Sequence, residues 1–267
     1  MMNSSHILAV CLGYSALATP ALADDSPAPP QDATESMLAS DVDGEGVSVW
    51  HAGATVDLST RCVGRGVPCS TGGVILPTVE FGAYGLTASF TAYLGFDEES
   101  PQALEEFDVG LSWSHAFDDL TLEVGAFGLT FPGLVDAHEH VELVASLAYA
   151  LGPVSVVTEH VVEVLAEPGA YYGEVGIEAE FKLTSVLSTT LSTAFGWASA
   201  KYNSDMFDVH DVMPQAIGGE VSLSWDIGDG FAIEPHGGAW YSTDSRAREA
   251  LETDVVWNAG LAVAGAW

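Results

Sequence analysis

Residues 254–267, Asp-Val-Val-Trp-Asn-Ala-Gly-Leu-Ala-Val-Ala-Gly-Ala-Trp, decide the fold when they are read with a period of two. One face carries Val255, Trp257, Ala259, Leu261, Val263, Gly265 and Trp267; the other carries Asp254, Val256, Asn258, Gly260, Ala262, Ala264 and Ala266. A bulky apolar face opposite a small, partly polar one suits a strand with lipid on one side and a wet lumen on the other. Trp267 strengthens the reading by analogy. Strands that close outer-membrane barrels typically stop on an aromatic that the barrel assembly machinery reads, which makes that machinery an expected partner.

The same alternation recurs upstream between turn signals. Strand-like runs cover residues 47–59, 74–83, 86–96, 106–116, 120–131, 138–150, 154–165, 171–183, 186–197, 215–227 and 231–241. With the closing segment that makes about twelve strands, and their connections alternate between tight turns and longer loops. Tight turns fall at Tyr84-Gly85, Asp118-Asp119, Gly152-Pro153, Thr184-Ser185 and Gly228-Asp229-Gly230. An even strand number, long strands, short turns at one end and longer loops at the other describe a bacterial outer-membrane barrel. The expected fold is therefore all-β: a transmembrane antiparallel up-and-down β-barrel of outer-membrane type spanning residues 46–267, with its N-terminus periplasmic. Phe107, Phe131, Tyr171, Trp197 and Trp257 are placed to form an aromatic girdle at the loop end, and Tyr149, Phe181, Trp225 and Trp267 one at the turn end.

A soluble β-sandwich or lipocalin-like barrel also alternates, but its outward face is charged and its interior apolar. Here the acids fall opposite the bulky apolar residues. Across residues 171–183, Val175, Ile177, Ala179 and Phe181 oppose Glu174, Glu178, Glu180 and Lys182. A closed apolar core has no room for so many carboxylates.

Charge excludes one class outright. The chain has 38 Asp and Glu against 6 Lys and Arg, so it lacks the basic footprint that nucleic-acid binding needs. After the N-terminal segment no apolar run is long enough for a membrane-spanning helix. Residues 1–23 read as a secretory signal, with an apolar run over 7–18 and an Ala21-Leu22-Ala23 cleavage site, although the segment before the run has no Lys or Arg. Residues 24–45, rich in Pro, Ser and acids, read as a disordered periplasmic leader. Export places Cys62 and Cys69 in an oxidising compartment, where they read as a disulfide closing a Gly-rich loop.

The inward register collects Glu80, Glu106, Asp108, Glu123, Glu142, Glu159, Glu163, Glu174, Glu178, Glu180, Glu220, Asp226 and Glu234. In part these carboxylates simply hydrate a lumen. Single-sign charge in a confined channel also concentrates cations and repels anions. Five basic residues, Arg61, Arg65, Lys201, Arg246 and Arg248, fall in loops at the outer rim. There they are suited either to lipid phosphates or to pairing with Glu142, Glu163 or Glu174 at the mouth. His138, His140 and Glu142 share a strand face, the spacing of a divalent-metal site. His160 stands on a face expected to meet lipid, but its neighbour Thr158 is a poor nucleophile, so no catalytic residue is assigned.

Several stretches resemble the TorF-like group of proteobacterial outer-membrane porins that carry the GCW_CHP domain. They are residues 122–133 (LEVGAFGLTFPG), 105–113 (EEFDVGLSW), 171–183 (YYGEVGIEAEFKL) and 82–89 (GAYGLTAS). Residues 59–66, Ser-Thr-Arg-Cys-Val-Gly-Arg-Gly, depart from the group's usual Ser-x-Tyr-x-x-Arg-Gly pattern by lacking the Tyr and being one residue longer. The resemblance implies a barrel and a pore rather than a particular solute.

The expected function is a passive, cation-preferring outer-membrane pore, with lipids and small solutes or cations as partners and no cofactor. A closed barrel with a structural or surface-interaction role is the alternative, and a lipid hydrolase the third.

Overall fold

The structure, a computed structural model, describes residues 50–70, 72–96, 104–132 and 138–267. The expected signal segment, leader and residues 46–49 of the expected barrel lie outside them. Twelve strands close into one antiparallel barrel. They are β1 (Trp50–Ser59), β4 (Val74–Ala83), β5 (Leu86–Gly95), β6 (Leu104–Phe117), β7 (Leu120–Thr130), β8 (His140–Leu151), β9 (Val154–Glu163), β10 (Tyr171–Lys182), β11 (Leu187–Ala198), β12 (Met213–Gly228), β13 (Phe231–Ser242) and β14 (Val255–Ala266). Each pairs with its neighbours in chain order, and β14 returns to β1 with Gly53 to Ser59 facing Ala266 to Gly260. Reciprocal bonds between Ala52 and Trp267, both 2.9 Å, extend that seam to the last residue. Closure satisfies every strand's edge, which lipid demands because it offers no hydrogen bonds.

The period-two reading of the sides holds. Val79 and Phe81 of β4, Val109 and Leu111 of β6, Val175 and Ile177 of β10, and Leu261 and Val263 of β14 are exposed on the outside. Between them, Thr55, Asp57, Glu106, Asp108 and Glu142 are buried inside. Trp225 and Trp267 stand exposed near the turn end and Trp257 near the loop end, as a girdle requires. The polar His160 on this outer surface is satisfied locally. Its Nδ1 lies 2.7 Å from the Tyr171 hydroxyl and its Nε2 3.2 Å from Thr158 Oγ1, and its ring stacks on Tyr171 and meets Trp197 edge-on.

Tight turns join the strands at one end. Tyr84 and Gly85 both take positive φ (55° and 80°), the left-handed pair that matches the twist of a two-residue hairpin. The other end is more structured than its polar sequence suggests. Residues 60–73 contain a small hairpin of β2 (Val63–Gly64) and β3 (Val67–Pro68), with the Cys62–Cys69 disulfide at its neck. Two loops each carry a short helix, α1 (Ala200–Phe207) and α2 (Ser245–Leu251). Ser199 caps α1 by accepting from the Tyr202 amide, and Asp244 caps α2 by accepting from Arg246.

These three loops pack on one another over the barrel mouth. Cys62, Val67, Val74 and Tyr93 form an apolar cluster against which Met206 and Phe207 of α1 and Leu251 of α2 pack. A buried clasp holds the α1 loop. Asn203 donates to the carbonyls of Ala198 (3.2 Å) and Asp211 (2.8 Å) and accepts from Gln215 Nε2 (2.9 Å).

Candidate functional site

The most distinctive arrangement inside the barrel is built by the β2–β3 hairpin. Arg65 and Gly66 form its tip, with φ of 53° and 77°. Glycine is needed twice over at the second position: its φ suits no L side chain, and a Cβ there would run into the Ala216 methyl of β12. The disulfide fixes the neck of this excursion and stabilises it by about 2–3 kcal/mol in the chain-entropy model.

From that tip the Arg65 side chain enters the lumen. Its Nη1 donates to Glu142 Oε1 at 2.9 Å and its Nη2 to Glu142 Oε2 at 2.7 Å, a bidentate pair with both side chains almost fully buried. Its guanidinium carbon also lies 5.1 Å from the centre of the Tyr172 ring. Arg65 takes the second of the two uses expected for the rim bases, pairing with Glu142 at the mouth. Of the five basic residues expected at the outer rim it is the one that turns inward, because a paired and hydrogen-bonded charge is tolerated where a lone one is not.

The other four do lie in or beside the loops. Lys201 donates to the Pro168 carbonyl at 2.8 Å and sits 3.4 Å from Glu167. Arg246 binds Asp244 and Asp211, at 2.9 and 2.7 Å. Arg248 holds the Ser242 and Thr243 carbonyls and approaches Asp254 at 3.2 Å. Arg61 is half-buried at the neck of the hairpin.

The wall facing Arg65 explains why a base is needed there. Glu142 on β8 is the direct partner of Glu163 on β9, and Glu159 on β9 is the partner of Glu174 on β10. Like charges opposite each other destabilise a sheet. Arg65 neutralises Glu142. The Tyr172 hydroxyl donates to Glu174 at 2.8 Å. Glu163 is consumed by structure: its Oε1 accepts from the Val141, Leu165 and Ala166 amides and its Oε2 pairs with His140 Nδ1 at 3.1 Å.

That inventory corrects the metal reading. Among the described residues no group of three or more His, Cys, Asp or Glu is placed to hold a metal ion. His140 is paired with Glu163 and Glu142 with Arg65, while His138 is exposed beyond the strand start. His140 and Glu142 share a strand face as the spacing implies, but each has a competing partner on another element, and His138 stands outside the strand.

The remaining acids expected in the lumen divide by depth. Glu80, Glu178, Glu180 and Glu234 are half-buried on the inward register toward the turn end, where Lys182 is exposed near the rim. Glu220, beside the inward Gly238, is exposed to the lumen. Asp108 is buried next to Glu106 and within electrostatic reach of Glu142.

One polar cluster escaped the strand-by-strand reading. Ser59 Oγ donates to Asp57 (3.0 and 3.2 Å) and lies 3.3 Å from His236 Nε2, which is itself 3.5 Å from Asp57 Oδ2. His236 reaches across β14 because Gly260 offers no side chain in the way. The trio resembles a hydrolytic triad in composition only. The acid and the hydroxyl share one imidazole nitrogen, whereas a triad needs the acid on the far nitrogen to orient the base.

No family model and no curated protein matches the chain. Among solved structures it is similar to the KdgM porin in complex with disordered oligogalacturonate, with a TM-score of 0.50 at 10% identity over 80% of this chain and 98% of that one. It is also similar to the NanC porin, with a TM-score of 0.52 at 10% identity over 79% of this chain and 97% of that one. At this identity the likeness is one of fold: a closed twelve-stranded barrel of the kind porins use.

Proposed function

We propose that the chain is a passive pore of a Gram-negative outer membrane that prefers small cations and is narrowed at its loop end by the Arg65 hairpin. The N-terminus is placed on the periplasmic side and the three packed loops outside. Kinship with the TorF-like group belongs to the same reading and rests on the short stretches quoted above. The observation that carries the proposal is the imbalance of lumenal charge. Carboxylates line the interior at every depth, whereas Arg65 is already spent on Glu142 and Lys182 stands at the far rim. A channel of one sign raises the local concentration of the opposite ion. The similar KdgM porin is in complex with oligogalacturonate, a polyanion; the acidic lumen here favours solutes of the other sign.

The test is planar-bilayer conductance of the refolded chain under a KCl gradient, with a cation-selective reversal potential expected. Anion selectivity would overturn the reading. Absence of current would favour the second one, a closed barrel with a structural or surface role, which the apolar packing of three loops over the mouth supports.

A further inference from the structure

Around the Arg65 guanidinium the lumen has the chemistry of a ligand site. Glu142 meets the fork of two N–H groups edge-on, the Tyr172 ring offers its face, and Glu159 stands within electrostatic reach. Carboxylate fork, aromatic face and surplus negative charge are together what holds a planar organic cation. A second observation points the same way. Glu106 and Asp108 are both 5% exposed, are hydrogen-bonded to each other and, for Asp108, to Tyr93, and lie within electrostatic reach of Glu142; Glu106 Oε1 and Asp108 Oδ1 stay buried without a hydrogen-bond partner. The cradle holds more carboxyl groups than the one guanidinium binds, and these two oxygens have room for a donor.

Arg65 arrives there from a loop, not from the wall. It rides on a two-residue tip whose neck is stapled, and the hairpin is a two-stranded sheet of its own, paired with no barrel strand. We propose that the cradle of Glu142, Glu159, Tyr172, Glu106 and Asp108 is a binding site for small guanidinium-bearing solutes, and that Arg65 is its built-in occupant. The incoming solute replaces Arg65 at Glu142, and the released hairpin widens the lumen. As a step in permeation this rests on the cation-pore reading; as a binding site it does not.

Calorimetry on the refolded full chain in detergent, with agmatine as the probe, tests it. Arg65→Gln vacates the cradle and is expected to tighten agmatine binding by about tenfold or more, since the wild-type site is open for only a small fraction of the time. Adding Glu142→Gln to that variant should remove the gain. Equal affinity in wild type and Arg65→Gln, or a gain that survives Glu142→Gln, would overturn the proposal. Heat-modifiable migration on a gel confirms that each variant is folded. If Arg65→Gln does not refold, Arg65→Lys takes its place: it keeps the charge but loses the fork, so a smaller gain is expected and no gain overturns the proposal. Bilayer recordings separate the two readings. Binding without current sinks the pore and leaves the site; cation-selective current without binding sinks the site and leaves the pore.

Discussion

Toward the loop end the inward positions of the barrel are filled by large side chains, with Tyr93, Leu129, Tyr172 and Met213 all buried, and the Arg65 hairpin lies among them. Toward the turn end the barrel presents Ala148, Gly176, Ser188 and Ala264 on its inward register, with half-buried Glu80, Glu178, Glu180 and Glu234 among them. Both halves obey one alternation, yet one is packed like a core and the other lined like a tube. At the loop end large side chains of the wall and the Arg65 hairpin together fill the interior, whereas the turn end has only the wall and its acids.

The strongest way to break this contrast is to remove the hairpin. Replacing residues 63–68 by a short Gly-Ser link, with Cys62 and Cys69 changed to Ser, should raise single-channel conductance by roughly threefold or more, because the constriction sets the resistance. Unchanged conductance would mean the packed half is closed by something else.

Next in size is the buried pair. Glu142→Gln strands the Arg65 charge in the interior and should cost about 3–5 kcal/mol, read as a lower urea midpoint in detergent. The double variant Arg65→Gln/Glu142→Gln should cost less than Glu142→Gln alone. If it costs more, the pair contributes packing rather than charge balance.

The inside–outside assignment is sharpened on adjacent residues of β14. Leu261→Arg puts a charge into lipid near mid-strand and should weaken folding into vesicles by about 2–4 kcal/mol. Ala262→Arg points into the lumen and should be much milder. Equal effects would undo the assignment.

In the open half, Glu178→Gln, Glu180→Gln and Glu234→Gln together should lower the cation-selective reversal potential by roughly a quarter to a half, with conductance little changed. A reversal potential indifferent to all three would place selectivity entirely in the packed half.

The smallest effect belongs to the loop lid. Hydrogen bonds from Arg246 hold the Asp244 carboxyl down at about 2. A depressed carboxylate stabilises the fold above its unfolded value of about 4, and that contribution disappears as the pH falls through the folded one. Protease resistance of the loop around α2 should therefore drop between about pH 4 and pH 2. Asp244→Asn should remove most of that pH dependence. A drop of the same size in the variant would assign it to other groups.

Much of this molecule is legible in its sequence because a barrel wall is local information. Successive side chains on a strand must point to opposite sides, so Val175, Ile177 and Phe181 against Glu174, Glu178 and Glu180 declare lipid and lumen without knowledge of any partner. Turn residues such as Tyr84-Gly85 mark where each strand ends, and the pair at Cys62 and Cys69 declares its own loop. Only the tertiary structure decided what those side chains do. Arg65 and Glu142 are 77 residues apart, and the sequence offers Glu142 only as one of three partners for any of five bases; Ser59 and His236 are 177 apart, with no sequence signal that joins them. His140 and Glu163 are only 23 residues apart, on the neighbouring strands β8 and β9, yet their pairing too depends on the register between those strands. Alternation assigns a side chain to a side of the wall. Closure of the barrel then brings remote strands to face one lumen, and within that shared space charge pairing and burial choose the contacts.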